Sequence, residues 1–214
     1  MANSLSHIRS VVFDFDGTLV DTFPLAFEIL NRLSEEYKYD PVDIDDIDEL
    51  RKLTTKQLFG LFDVPLYKVP FVLKRVQKEM HQVITSLDPI PEIQMVLEKL
   101  HDHGYVLGIV SSNIEDSIID FLHFHQLNMF NFIYGGVLPY TKHYTFRKMF
   151  EEQRIDPETT IYIGDEKRDV RASKKVDIPV ISVTWGFSTG DVLEKIHPDF
   201  MVDHPGQLLK LLIP

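Results

Sequence analysis

The chain has 214 residues, 44% hydrophobic and 26% charged, which is the make-up of one ordinary folded domain with room for a small insert, not of a disordered or fibrous chain. Asp and Glu number 33 against 22 Lys and Arg, a formal net charge of -11; with no dense Lys/Arg block, nucleic acid is not an expected partner. Cysteine is absent, which excludes disulfide staples, thiolate zinc sites and any Cys nucleophile.

Met1 to Ser10 is polar and has no signal-peptide pattern, and no apolar run approaches the roughly 18 residues of a membrane helix. A cytoplasmic protein with no membrane partner is the expectation. Val11 to Phe15 reads as a strand buried on both faces. From Thr22 to Ser86 no buried strand is legible. Amphipathic helical patterns stand there instead: Phe27, Leu30 and Leu33; Leu58, Leu61 and Phe62; Val72, Val76 and Val83. Asp40 to Asp48 is an acidic connector between them. A helix over Glu92–His101 leads to a strand over Tyr105–Val110, then a helix over Glu115–His123 and a weaker strand over Phe132–Tyr134. Tyr144–Gln153 reads as a helix, Thr160–Ile163 as a strand, Arg168–Lys175 as a helix, Pro179–Val183 as a strand and Phe200–Val202 as a weaker one. Alternating strands and helices predict an α/β fold, a Rossmann-like parallel sheet covered by helices, with a small helical insert after the first strand. The predicted division is 1–21 plus 87–214 for the core and 22–86 for the insert. Ligand chemistry in such a sheet belongs at the carboxyl ends of its strands.

The string Asp14-Phe15-Asp16-Gly17-Thr18-Leu19-Val20-Asp21 follows the first strand directly. Residues two apart in an extended segment face the same side, so Asp14 and Asp16 can present two carboxylates together while Phe15 turns into the core. Two carboxylates about 4 Å apart repel by roughly 4 kcal/mol at an effective dielectric of 20, so a fold keeps them only with a cation, a shared proton or exposure. A solvated turn is the plain alternative for a bare D-x-D-G, but the longer string is uncommon by chance.

Asp14-Phe15-Asp16-Gly17-Thr18-Leu19 resembles the first motif of the haloacid dehalogenase-like hydrolase superfamily. The resemblance implies that Asp14 is a nucleophile forming an aspartyl-phosphate. It implies that Asp16 protonates the leaving group and then activates water. Ser111-Ser112-Asn113, after the strand ending at Val110, resembles the second motif, whose Ser or Thr holds a phosphoryl oxygen. Read alone it is a helix N-cap, and free N–H groups there also attract phosphate. Lys142 resembles the third-motif lysine, although His143 stands where Pro is usual. Tyr162-Ile163-Gly164-Asp165-Glu166-Lys167-Arg168-Asp169 resembles the fourth motif. The resemblance then implies Mg²⁺ on Asp14, Asp16 (through its backbone carbonyl) and Asp165, phosphate contacts from Ser111, Ser112 and Lys142, and support from Asp169 and Thr18. It runs from about Val11 to Pro205 and implies that the insert, 22–86, is a helical cap domain. The subgroup it is most similar to is the phosphoglycolate phosphatases. Glu92 stands where members commonly have Gly.

The implied activity is magnesium-dependent hydrolysis of a small phosphorylated metabolite by a monomer or homodimer. A phosphomutase on the same core and a non-catalytic phosphate-sensing module are the alternatives; a dehalogenase needs no carboxylate at position 16. Arg51 and Lys52, basic residues in an acidic insert, are candidate substrate contacts or a solvated helix face. Gly186-Phe187-Ser188-Thr189-Gly190 matches the nucleophile elbow of serine hydrolases, but too little sheet follows to place an acid and a base. His101/His103 and His123/His125 are two apart on helices and point in different directions, unlike a metal pair.

Overall fold

The computed structural model describes residues 5–43, 47–53, 55–65, 67–138 and 140–213. Six parallel strands form one sheet: β1 (Ser10–Phe13), β2 (Val106–Val110), β3 (Phe132–Tyr134), β4 (Thr160–Gly164), β5 (Val180–Val183) and β6 (Phe200–Val202). Their order across the sheet is β3-β2-β1-β4-β5-β6. The chain therefore steps outward from β1 on one side, then returns to β1 and steps outward on the other. That reversal leaves a crevice at the carboxyl ends of β2, β1 and β4, where such sheets bind ligands.

The central strands are apolar on both sides because helices cover both faces. Val11, Phe13, Ile109, Ile161 and Ile163 face one buried cluster. Val12, Val110, Tyr162 and Val180 face the other. Helices α6 (Ile93–Asp102), α7 (Glu115–Phe124) and α11 (Gly206–Leu212) bury their apolar sides in the first cluster. Helices α8 (Lys142–Gln153) and α9 (Lys167–Lys174) bury theirs in the second. Short α10 (Gly190–Glu194) joins β5 to β6. The two edge strands are only three residues long, which limits open sheet edge.

Between β1 and α6 lie α1 (Phe23–Arg32), α2 (Ser34–Tyr37), α3 (Ile47–Arg51), α4 (Thr55–Leu61) and α5 (Val69–Val83). The Phe62 ring sits 5.1 Å from Phe27 and 5.7 Å from Tyr39, and all three are buried. The chain leaves and rejoins the sheet side by side: Val20 bridges Pro89, and Ile90 N–H donates to Leu19 C=O at 2.8 Å.

Some sequence expectations shift. β1 ends at Phe13, so Asp14 and Asp16 sit in the turn after the strand and not on it. Lys142 and His143 are already helical, where the apolar pattern starts only at Tyr144. Leu61 and Val83 are exposed, not part of the buried stripes. The regular α5 geometry breaks at Val83 and a 3₁₀ turn follows, so Ile84 takes the inward place instead. Glu92, in the usual Gly position, has φ 65°, the left-handed conformation that glycine adopts most cheaply. No helix among the described residues is long and apolar enough to cross a membrane.

Candidate active site

Asp14 follows β1 and its N–H continues the ladder to the Ile163 carbonyl at 2.8 Å. Asp165 follows β4, the neighbouring strand, and Ser111 follows β2 on the other side. Parallel neighbours lie about 4.8 Å apart, so three side chains reach one crevice from three adjacent strand ends. Asp14, Asp165 and Asp169 each offer a carboxylate oxygen, and these oxygens lie within 4.8 Å of one another. All three residues are buried.

Lys142 is the positive centre of this group. Its Nζ donates to Asp14 Oδ2 at 2.8 Å, to Asp169 Oδ1 at 2.6 Å and to the Tyr162 hydroxyl at 2.8 Å, using all three donors. Burial alone would discharge the amine, but the Asp14 and Asp169 carboxylates outweigh it and hold its pKa above the ordinary lysine value. Burial also pushes Asp14 up, yet Lys142 and Arg168 more than offset this, so Asp14 stays an anion. Phe15 N–H donates to Asp14 Oδ1 at 2.8 Å, and Tyr162 donates onward to the Val110 carbonyl at 3.0 Å. Lys148, by contrast, is exposed on the far side of α8, 3.7 Å from Glu152.

Asp16 points elsewhere. Its Oδ1 accepts from Thr22 Oγ1 at 2.8 Å and from Asn113 Nδ2 at 2.9 Å. Burial and the neighbouring Asp14 charge raise its carboxyl to about 6, against the pull of those two donors. The two carboxylates of the first motif thus differ: one is fixed as an anion, the other takes a proton near neutrality. Such divergence is how acid and nucleophile roles are divided in carboxylate pairs.

Asp165 accepts from Thr18 Oγ1 at 3.0 Å and from Phe187 N–H at 2.6 Å. Burial, then the charges of Glu166, Asp169 and Asp14, push its carboxyl well above the usual range. A β-carbon on Gly17 would lie 2.2 Å from Asp165 Oδ2, and one on Gly186 would lie 2.4 Å from it. Both glycines are there because the backbone must pass against this carboxylate. Asp169 closes a reciprocal cap at the start of α9: its Oδ2 accepts from Glu166 N–H at 3.0 Å, and Glu166 caps in return. The Arg168 guanidinium is 2.5 Å from Glu166 and adds a second cation to the cluster.

Ser111 is fully buried, and its Oγ accepts from Asn113 N–H at 3.3 Å. Ser112 is half-buried, with its carbonyl accepting from Gln77 of α5 at 3.2 Å. Arg51 is turned inward and bound to Asp21, while Lys52 is exposed beside Glu49. Arg51 also reaches the Gly186 carbonyl, one peptide away from the carboxylate of Asp165. Ser188 lies in the loop whose Phe187 holds Asp165. The His101/His103 and His123/His125 pairs form no part of the one metal-sized group among the described residues.

Residues 11–183 match the haloacid dehalogenase-like hydrolase family. The chain belongs to this family. Among its relatives, the phosphoglycolate phosphatase of Synechococcus elongatus is 30% identical over 204 residues, spanning 95% of this chain and 96% of the relative. That of Aquifex aeolicus is 30% identical over 216 residues, spanning 96% and 97%. A solved haloacid dehalogenase-like protein from Streptococcus pneumoniae has the same fold, with a TM-score of 0.78 over 95% of this chain and 98% of its own at 23% identity.

Within this haloacid dehalogenase-like site, several contacts were not assigned from the sequence: Asn113 and Thr22 on Asp16, Tyr162 on Lys142, Phe187 N–H on Asp165, and Arg168. Asn113, Tyr162 and Arg168 stood inside the motif strings and could have been named there. Tyr162 also carried a signal of another kind, a phenol in an otherwise aliphatic buried strand, where its hydroxyl must find a partner.

Proposed function

We propose that this chain is a magnesium-dependent phosphatase acting on a small phosphorylated metabolite through a phosphoryl group carried on Asp14. The observation that supports it most is the split between the two carboxylates of the first motif: Asp14 kept ionised by Lys142, and Asp16 with its proton affinity raised to about 6. In the first step an Asp14 carboxylate oxygen attacks phosphorus, the ester P–O bond breaks, and Asp16 gives its proton to the departing oxygen. In the second, the Asp16 carboxylate takes a proton from water as that water attacks phosphorus. Inorganic phosphate leaves and Asp14 is regenerated. Ser111, with Ser112 beside it, holds the transferring oxygens, and Lys142 joins it once a phosphoryl oxygen takes the place of one of its three present partners; Thr18 and Asp169 orient Asp165 and Lys142.

The donor set fits a hard divalent cation: buried carboxylates with too few protein cations to balance them, all through oxygen. Asp14, Asp165 and the Asp16 carbonyl would hold magnesium. Asp169 supports them by holding Lys142 and the Glu166 N–H. When bound, the cation neutralises charge that would otherwise repel a phosphate from an acidic protein. The helical insert, residues 22–86, is the cap over this crevice in the proposal. The relatives named phosphoglycolate phosphatase make phosphoglycolate the first substrate to try. The proposal extends to a cytoplasmic monomer or homodimer acting on free metabolites.

Phosphate release from p-nitrophenyl phosphate and from phosphoglycolate, with magnesium and with a chelator, tests this reading. Magnesium-dependent release is expected. Release unaffected by chelation, or Asp14→Asn keeping a tenth of wild-type activity, refutes it.

A further inference from the structure

Arg51, the last residue of α3, leaves the insert and touches the sheet edge with both arms of its guanidinium. One arm donates to Asp21 Oδ2 at 2.7 Å and the other to the Gly186 carbonyl, while the Cζ lies 4.8 Å from the centre of the Phe23 ring. The side chain is only 12% exposed. The Gly186 carbonyl and the Phe187 N–H belong to one planar peptide unit. That same N–H donates to Asp165 Oδ2 at 2.6 Å. A single rigid plane therefore has Arg51 of the insert on one end and the Asp165 carboxylate on the other. The Phe187 ring meets Phe23 edge-on at 5.1 Å, beneath the guanidinium, so the residue that supplies the N–H packs against the same ring that Arg51 covers.

We propose that Arg51 is a positioning residue for Asp165, acting through the Gly186–Phe187 peptide, so that the carboxylate is held in place for its cation only while the insert is seated on the sheet edge. This rests on the metal-site reading above. A carbonyl that accepts a charged donor polarises its own peptide and strengthens the hydrogen bond its N–H makes. The guanidinium fork is what allows one side chain to hold Asp21 and Gly186 together; a lysine supplies the charge at one point only.

The direction of the effect separates this role from plain electrostatics. Removing a cation beside an acidic cluster should tighten binding of a divalent metal. Losing the orientation of Asp165 should weaken it. Magnesium affinity is measured by isothermal titration calorimetry on wild type, Arg51→Met and Arg51→Lys, and exchange of the Phe187 amide by NMR on the same proteins without metal. Arg51→Met should weaken magnesium binding by about tenfold or more, the range for supports behind a metal ligand, with Arg51→Lys between, and should speed Phe187 exchange. Magnesium bound by Arg51→Met as tightly as by wild type, or more tightly, overturns the proposal, as does unchanged Phe187 exchange. If Arg51→Met does not fold, Arg51→Lys carries the same two readouts. Wild type that binds no magnesium overturns the metal reading, and the Phe187 amide still decides whether Arg51 holds this peptide.

Discussion

The sheet edge and the helical insert are held by different physics. At the sheet edge Lys142, Asp14 and Asp169 form an ion cluster whose side chains are fully or almost fully buried, fixed by short charge-assisted hydrogen bonds. The insert is an aromatic core of Phe27, Phe62 and Tyr39, and two of its polar links to the sheet edge end on backbone carbonyls, Gly186 and Ser112. A buried ion cluster tolerates almost no displacement, because any member left alone is an unpaired charge in an apolar surround. A hydrogen bond to a carbonyl at the rim can break to water and re-form at little net cost. The acidic cluster thus sits on the part that tolerates least displacement, while the insert meets it in part through contacts that water can replace.

The comparison is broken most decisively at Asp14, the proposed nucleophile. Asp14→Asn should leave the fold intact and lower kcat by three orders of magnitude or more, since the amide does not attack phosphorus. Steady-state kinetics with p-nitrophenyl phosphate check this.

Next comes the cluster's cation. Lys142→Met should cost about 3–5 kcal/mol of stability by stranding two buried carboxylates. Lys148→Ala, on an exposed side chain, should stay within about 0.5 kcal/mol. Urea unfolding of the two variants separates them, and where both fold their kcat/KM should differ at least tenfold, with the loss on Lys142.

A pH series sharpens the account of Asp16. Its folded pKa of about 6 lies above the ordinary 3.8, so its ionised form is disfavoured in the folded chain. Stability is fully present below pH 4 and is lost as pH rises through 6. Asp16→Asn keeps an acceptor for Thr22 and Asn113 without the charge. Metal-free Asp16→Asn should therefore melt higher than wild type at pH 7 and at the same temperature below pH 4. A gain that persists in acid would mean the charge is not its cause.

The smallest effect belongs to the insert. Gln77→Ala removes one contact to a backbone carbonyl and should change stability by about 0.5–1.5 kcal/mol. A larger loss would mean the insert is as tightly fixed as the sheet.

Most of the sheet was legible because buried parallel strands write themselves as apolar runs: Val11–Phe13 and Val106–Val110 needed no context. The acidic residues were legible because unusual residues at strand ends mark a site. What escaped was relational. That Phe187 serves Asp165 depends on a main-chain N–H, which no side chain advertises. Asn113 read as a helix start and in fact reaches Asp16 as well. In the insert, Leu61 and Val83 fit an apolar period yet face solvent, because each is the last residue of its helix, where the regular geometry that carries the stripe stops.

Trp185 is the chain's single tryptophan, and its indole Nε1 donates to the Thr18 carbonyl at 3.2 Å. Thr18 in turn holds Asp165, and Trp185 is followed at once by Gly186. The molecule thus carries one indole fluorophore, which can be excited apart from its tyrosines and is placed where the insert, the first motif and the fourth meet. Its emission is a single-site optical signal, free of background from other indoles, by which stopped-flow mixing can test for the proposed metal loading and turnover without any attached label.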